Sequence, residues 1–381
     1  MIVLRRYLSR EIWLAIVFVL LALLGLFFLL DMLNEFDSVG KGQYRIQHAA
    51  LFVLLELPAT AYEILPIAAL IGTVYALAQF ASNSEFTIMR ASGMATTQAA
   101  VIIVRTGLVI VIAMFLLGDY LVPISQSFAN KTRLALISGS GKLDLRSGFW
   151  IKDVVLDAQG REVGSRFVNA NKVGADGVLR QVHIYELDAQ RQITSLGVAE
   201  SAVFDPEQGW RLINISETQF LRVPAPDDPL AASNLTQRTR VVTQAQRIWS
   251  TRLDASVFAS VIVEPGSMST AALWKYVDHL HSTKQRATRY EIALWKKFTY
   301  PGAVFVLMLL ALPFAYLHVR SGGVGVKMFA GIMLGVVFWF SNSLSAHVGM
   351  LNQWSPALAA VTPSLVALFI AAAWLRWVER H

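Results

Sequence analysis

Six stretches of the chain are apolar almost without interruption, and a long polar interval separates the third from the fourth. They run at about residues 12–32, 62–81, 99–122, 298–318, 326–347 and 356–377, and the second has an apolar lead-in over 49–57. Each is close to the ~20 residues a helix needs to cross a bilayer. Helices are the expected form, because a backbone in lipid must satisfy its polar groups within its own segment. The pattern predicts three spans, one soluble domain, then three more spans.

In the polar interval the period changes. "GVLRQVHIYEL" (177–187) alternates β-branched and aromatic residues with polar ones, and "DAQRQ" follows as a turn. "AESAVFDPEQGWRLINISETQF" (199–220) reads as strand, turn and strand around Asp205, Pro206 and Gly209, and Asp176-Gly177 supplies a further hairpin turn. Short strands between turns predict a sandwich or jelly roll. Beyond Pro265, Leu273, Tyr276, Val277 and Leu280 fall at i, i+3, i+4 and i+7, which predicts an amphipathic helix capped by Ser269. The divisions are residues 1–122 for three spans with a short helix at about 82–93, 123–265 for the β domain, 266–297 for an amphipathic connector, and 298–381 for three spans.

Composition agrees with this pattern. Hydrophobic residues make up 55% of the 381 and charged ones only 15%, against about a quarter in soluble domains. The first apolar run is too long for a cleaved leader and no small-residue cleavage pattern follows it, so it reads as a retained anchor. There are no cysteines, which excludes disulfides, thiolate metal sites and cysteine nucleophiles. A net charge of +7 on a membrane protein points to anionic lipid or a polyanionic ligand and not to nucleic acid. Arg5, Arg6, Arg10, Arg90, Arg320, Lys327, Arg376 and Arg380 fall on one side of six spans, which assigns that side, and both termini, to the cytoplasm. The β domain then lies outside, in the periplasm of a Gram-negative cell.

Catalytic motifs are weak. "SGSGKLD" (138–144) resembles a phosphate loop, but residue 136 is Leu where Gly is needed and Leu143 stands where Ser or Thr belongs. His279 and His281 are two apart, so one helix does not present both to a metal. Asp31, Glu63 and Asp119 sit near span ends, where an acid reaches the interface, and not at the mid-membrane depth a proton-coupled secondary transporter would use. Pro58 and Pro66 predict a broken entry to the second span. Lys41 and Arg45 after the first span, and Lys131 and Arg133 after the third, are cations placed for a phosphorylated amphiphile or for simple snorkelling.

One polar segment, "SNSEFTIMRASGMATTQ" (82–98), is more than a turn. Ser82 or Ser84 can cap a helix with Glu85 in its first turn; Phe86, Ile88 and Met89 give an apolar side, Arg90 a polar one, and Ser92-Gly93 an end. Such a helix either lies on the membrane surface or plugs into a cytoplasmic partner.

These residues carry a resemblance. "LPIAALIGTVYALAQFASNSEFTIMRASGM" (65–94), together with "RYLSREI", "FDPEQGWRL", "RYEIALWKKFTYP" and "RSGGVGVK", resembles the LptF/LptG permease family of the lipopolysaccharide-export ABC transporter. The likeness covers the whole chain and its three-plus-three layout, and "GKGQY" with Arg133 is closer to the G-type than to the F-type. The resemblance implies a non-catalytic permease in the inner membrane, paired with a second, F-type permease. The two would enclose a cavity that takes lipopolysaccharide from the outer leaflet. A cytoplasmic ATPase dimer would bind ATP and Mg, leaving this chain without a cofactor. The β domain would be a periplasmic jelly-roll that passes the lipid to single-span and jelly-roll bridge proteins leading to the outer membrane.

Glu85, Phe86, Met89, Arg90, Ser92 and Gly93 would form the coupling helix, and Lys41, Arg45, Lys131 and Arg133 would meet lipopolysaccharide. The G-type pattern has lysines at the outer end of the first span where this chain has Asp31, Asp37 and Ser38, so phosphate contact shifts to Lys41 and Arg133 or to the partner subunit. The rival classes are a membrane scaffold or envelope-assembly factor with a β domain, and a secondary transporter.

Overall fold

The computed structural model describes residues 2–137, 142–156, 162–174, 177–205, 209–224, 235–249, 251, 264–316 and 323–380. Among them, six helical segments are long and apolar enough to cross a membrane. The phosphate-loop look-alike at 138–141, the turn residues Asp176 and Pro206, and residues 320–322 of the "RSGGVGVK" loop lie outside the described residues.

The first span is α1 (Ile2–Glu35) and the second α2 (Ile46–Ser82). The predicted break in the second span is absent: α2 runs through Pro58 and Pro66. A proline inside a helix forfeits one backbone bond, a loss that membrane helices offset through groups on their neighbours. Pro66 frees the Tyr62 carbonyl, and the Tyr300 hydroxyl braces the same turn by donating to the next carbonyl, that of Glu63. Gly72 lets α1 and α2 touch, since a Cβ there would sit 2.6 Å from the Ile16 Cα.

The short helix α3 (Glu85–Ala91) joins the second span to the third. The third span is α4 (Thr96–Leu116), a π-helical turn (Leu117–Leu121) and α5 (Val122–Ile137), so its helix continues past residue 122 into the stretch the pattern reads as the start of the β domain. A π turn bonds residue i to i−5. The N–H that would meet the Gly118 carbonyl therefore belongs to residue 123, which is Pro and has none. The Lys297 amine fills the vacancy, donating to that carbonyl at 2.8 Å.

Between the third and fourth spans, β1 (Lys142–Leu156), β2 (Glu162–Gly174), β3 (Leu179–Asp188), β4 (Ile193–Asp205), β5 (Gly209–Pro224) and β6 (Leu235–Trp249) form one antiparallel sheet in consecutive order. The pairs Phe204↔Trp210 and Asp205↔Gly209 close the hairpin read from the sequence. Val168, Ala170, Val182, Ala199, Ala202 and Leu212 line its buried face.

The predicted amphipathic helix covers that face. It is α6 (Thr270–Ser282), with the Ser269 Oγ accepting from the Ala272 N–H at 3.2 Å and Leu273, Tyr276 and Leu280 packed into the sheet core. Burial, and then the neighbouring Tyr290, push the Tyr276 hydroxyl well above its ordinary range. His281 pairs with Glu291 at 2.6 Å, and no cluster of three or more potential metal ligands occurs among the described residues. α7 (Thr288–Leu310) with a 3-10 turn (Leu312–Ala315), α8 (Val324–Leu351) and α9 (Pro356–Arg380) complete the six spans. Lys327, read as a loop cation, lies in the first turn of α8 and is buried.

Candidate functional site

Polar features gather at two ends of the span bundle. At one end α3 lies across it. Residues 82–84 make a tight turn in which Ser84 adopts a left-handed conformation (φ 60°), and this removes the expected cap: neither serine side chain caps α3. The Ser82 hydroxyl donates instead to the Gln79 carbonyl, closing α2. The other end of α3 forms as the sequence predicts. Gly93 has φ +91°, the Met94 N–H reaches the Met89 carbonyl at 3.1 Å and the Gly93 N–H reaches the Arg90 carbonyl at 2.9 Å.

The apolar side of α3 is narrower than the sequence suggests. Phe86 and Met89, three apart, are buried in the bundle core, while Ile88 is 62% exposed. Two residues apart on a helix is more than half a turn, so Ile88 cannot share the face of Phe86. Glu85 accepts from the Tyr7 hydroxyl at 3.2 Å and from the Asn83 amide at 3.1 Å. The Arg90 guanidinium lies 4.8 Å from the centre of the Tyr316 ring. Thr87, Ile88, Arg90, Ala91, Ser92 and Gly93 face outward, beside an open hollow of about 720 Å³. The result is a ridge with two core anchors and an exposed outer face.

At the opposite end, near the sheet, the four expected cations separate into two kinds. Arg133 on α5 is already engaged: its Nε donates to Glu35 at 2.9 Å, its Nη2 to Glu35 at 3.3 Å and to the Ser38 hydroxyl at 3.1 Å, and its guanidinium lies 5.0 Å over the Phe52 ring. Burial, and then the Glu35 carboxylate, push the nearby Tyr44 hydroxyl far above its ordinary range, so it stays neutral beside the pair. Lys41, Arg45 and Lys131 are exposed. Arg45 also begins α2, its backbone N–H reaching the His48 Nδ1 at 3.1 Å. Asp31 is half-buried on α1 and Asp37 is exposed just beyond it.

A third cluster, which sequence reasoning missed, joins the spans to the sheet. Asp119, read as an interfacial acid, accepts from the Thr270 N–H at 2.6 Å and so caps α6 from the third span. Lys297 is 5% exposed and lies 5.5 Å over the Tyr62 ring while it holds the Gly118 carbonyl. A Cβ on Gly118 would meet Tyr62 at 2.6 Å, so only glycine lets the ring lie there. The Lys152 amine on β1 donates to the Thr283 carbonyl, at the turn between α6 and α7, at 3.0 Å. A cavity of about 690 Å³ opens beside this cluster, with Glu63, Glu264, Arg289 and Lys296 in its wall. The one signal available was two adjacent lysines entering an apolar span.

Six spans with a β domain set between the third and fourth, and a short exposed helix between the second and third, define a multi-pass membrane permease subunit with an inserted extramembrane domain. Over residues 6–377 the sequence matches the family described as lipopolysaccharide export system permease LptF/LptG, and the chain belongs to that family. It is 30% identical to the lipopolysaccharide export system permease protein LptG of Haemophilus influenzae over 370 residues, covering 97% of this chain and 96% of that protein. It is 29% identical to the protein of the same name from Escherichia coli K12 over 377 residues, covering 98% and 97%. Both relatives carry the G-type name, in agreement with the resemblance drawn from "GKGQY" and Arg133.

Proposed function

We propose that this chain is the G-type half of an inner-membrane exporter that lifts lipopolysaccharide out of the membrane, driven by ATP that a separate cytoplasmic ATPase dimer binds with Mg and hydrolyses. Its termini and α3 face the cytoplasm, and its β domain stands in the periplasm, where it passes lipid to jelly-roll bridge proteins. A second, F-type permease closes the lipid cavity. The observation that carries the reading is α3 itself, anchored inward by Phe86 and Met89 and offering Ile88, Arg90, Ser92 and Gly93 outward. A helix held this way moves as a rigid body with the spans beneath it, as transmission between discrete packed states requires.

For the lipid phosphates, Lys41, Arg45 and Lys131 are the cations with exposed side chains, and Arg133 acts mainly by holding Glu35 and the first span in place. Co-purification tests the assignment. A soluble ATPase and a second six-span protein should come down with the chain, and depletion should stop lipopolysaccharide reaching the outer membrane. A chain that purifies alone and whose loss leaves delivery intact would refute it.

A further inference from the structure

The contacts that hold α3 are unequal, and the inequality points to one span. Toward the first span, the polar tie is one hydrogen bond, 3.2 Å from the Tyr7 hydroxyl to Glu85 at an exposed site. Toward the fourth, the Tyr316 ring meets two residues of α3, and its hydroxyl reaches the third span. The ring meets Phe86 edge-on with centroids 5.2 Å apart, Arg90 lies over it at 4.8 Å, and the hydroxyl donates to the Thr96 Oγ1 at 2.7 Å, where the third span begins.

Tyr316 directly follows the 3-10 turn that ends the fourth span. At the far end of the same span stand Lys297, holding the π turn, and the α6–α7 turn gripped by Lys152 of the sheet. The fourth span is thus one helical run, Thr288–Leu310 with a 3-10 extension, from α3 to the helix that covers the sheet face. Pro301 lies inside it, and burial of Tyr300, Pro301, Ala303 and Val304 among the neighbouring spans braces that point.

We infer that Tyr316 is a positioning residue that locks α3 to the fourth span, and that this span carries the movement of α3 as a rigid rod to the base of the β domain. The inference rests on α3 being the element the ATPase moves.

The chain has no cysteines, so spin labels can be placed on single introduced ones. In the assembled complex with the second permease and the ATPase, one label pair joins Ala91→Cys on α3 to Trp295→Cys at the far end of the rod. A second pair joins Ala91→Cys to Leu29→Cys on the first span. Pulsed EPR distances are compared without nucleotide and with ATP plus vanadate.

The rod keeps the first distance constant, while the second changes by more than ~2 Å, the scale of helix shifts in switching proteins. With Tyr316→Ala the first distance changes too, and ATP consumed per lipid delivered rises about fivefold or more, the range of an ordinary coupling loss. Tyr316→Phe keeps both ring contacts and restores most of the coupling. A changing first distance in the unmutated chain overturns the rod and leaves the docking reading standing. If α3 moves against neither span, the special link to the fourth span falls, while the docking reading, in which α3 moves with all the spans beneath it, stands. Should Tyr316→Ala fail to assemble, the unmutated distances still decide the rod and Tyr316→Leu decides the residue: unaltered ATP consumption per lipid in that variant overturns its role.

Discussion

The two ends of the span bundle use the same chemistry for opposite purposes. Each has an arginine lying over an aromatic ring: Arg90 over Tyr316 at the α3 end, Arg133 over Phe52 at the sheet end. Arg133, though partly exposed, is held by a two-pronged pair with Glu35, which is 8% exposed. Arg90 is exposed, and no carboxylate among the described residues pairs with it. The same contrast extends to their surroundings. At the sheet end Glu35 holds Arg133 and Asp119 caps α6, while Asp37 stays exposed. Around Arg90 the outward groups lack internal partners of comparable strength. An end whose charges are satisfied internally maintains a shape, and an end whose charges face outward waits for another surface. Substitutions should therefore cost stability at the first and activity at the second.

The largest effect is expected at α3. Reversing both charges, Glu85→Lys with Arg90→Glu, should reduce ATPase recruitment and transport by at least about tenfold, because reversed charges at an interface set like against like. The melting temperature in detergent should fall by only about 2–4 °C, because the ties lost, Arg90 over Tyr316 and Tyr7 to Glu85, involve partly exposed side chains. Wild-type transport in this variant would dissolve the contrast between the ends. Next comes Arg133→Ala, which leaves Glu35 buried and unpaired. Breaking a buried pair from one side costs about 3–5 kcal/mol, and the partly exposed Arg133 lowers the expectation here to about 2 kcal/mol, read as a drop in thermal stability. Exchanging the two residues, Glu35→Arg with Arg133→Glu, should recover most of that loss. If the exchanged chain is stable yet no longer responds to lipopolysaccharide, Arg133 contacts the lipid directly.

What the sequence could reveal follows the range of each interaction. The spans, the β hairpin around Asp205 and Gly209, and α6 with its Ser269 cap rest on local periodicity and turn chemistry, and the structure contains all of them. The face of α3 was misjudged because seven residues are too few to separate Phe86 and Met89 from Ile88 by pattern. The pairs that define the two ends join residues remote in sequence, such as Glu35 with Arg133 at the sheet end and Tyr316 with Thr96 at the α3 end, and no local rule reports them. The proline break failed for a related reason: the group beside the Pro66 turn, Tyr300, arrives from the fourth span. The lysine at Gly118 was hidden because a π turn has to form before Pro123 can leave that carbonyl empty.

Asp119→Ala probes the sheet end more gently. It removes a charged acceptor from the start of α6, and losing a helix cap costs about 1 kcal/mol. The loss should appear as earlier hydrogen exchange in α6 and the sheet it covers, with the spans unchanged. Uniform loosening of the whole chain would mean that the β domain and the spans unfold as one unit.

The smallest effect on stability, and the sharpest division within the sheet end, should come from Lys41→Ala combined with Lys131→Ala. Both side chains are exposed, so their removal should leave the melting temperature within about 2 °C. Exposed cations near a membrane each add modest attraction to an anionic lipid, up to about 1 kcal/mol, so losing two should weaken the affinity for lipopolysaccharide by up to about thirtyfold, read as a higher lipid concentration needed to stimulate the ATPase. The deficit should be largest at low salt and shrink as salt rises to physiological strength, because salt screens the attraction that the two lysines supply in the unmutated chain. An unchanged response would leave phosphate recognition to Arg45 or to the second permease, and adding Arg45→Ala separates the two.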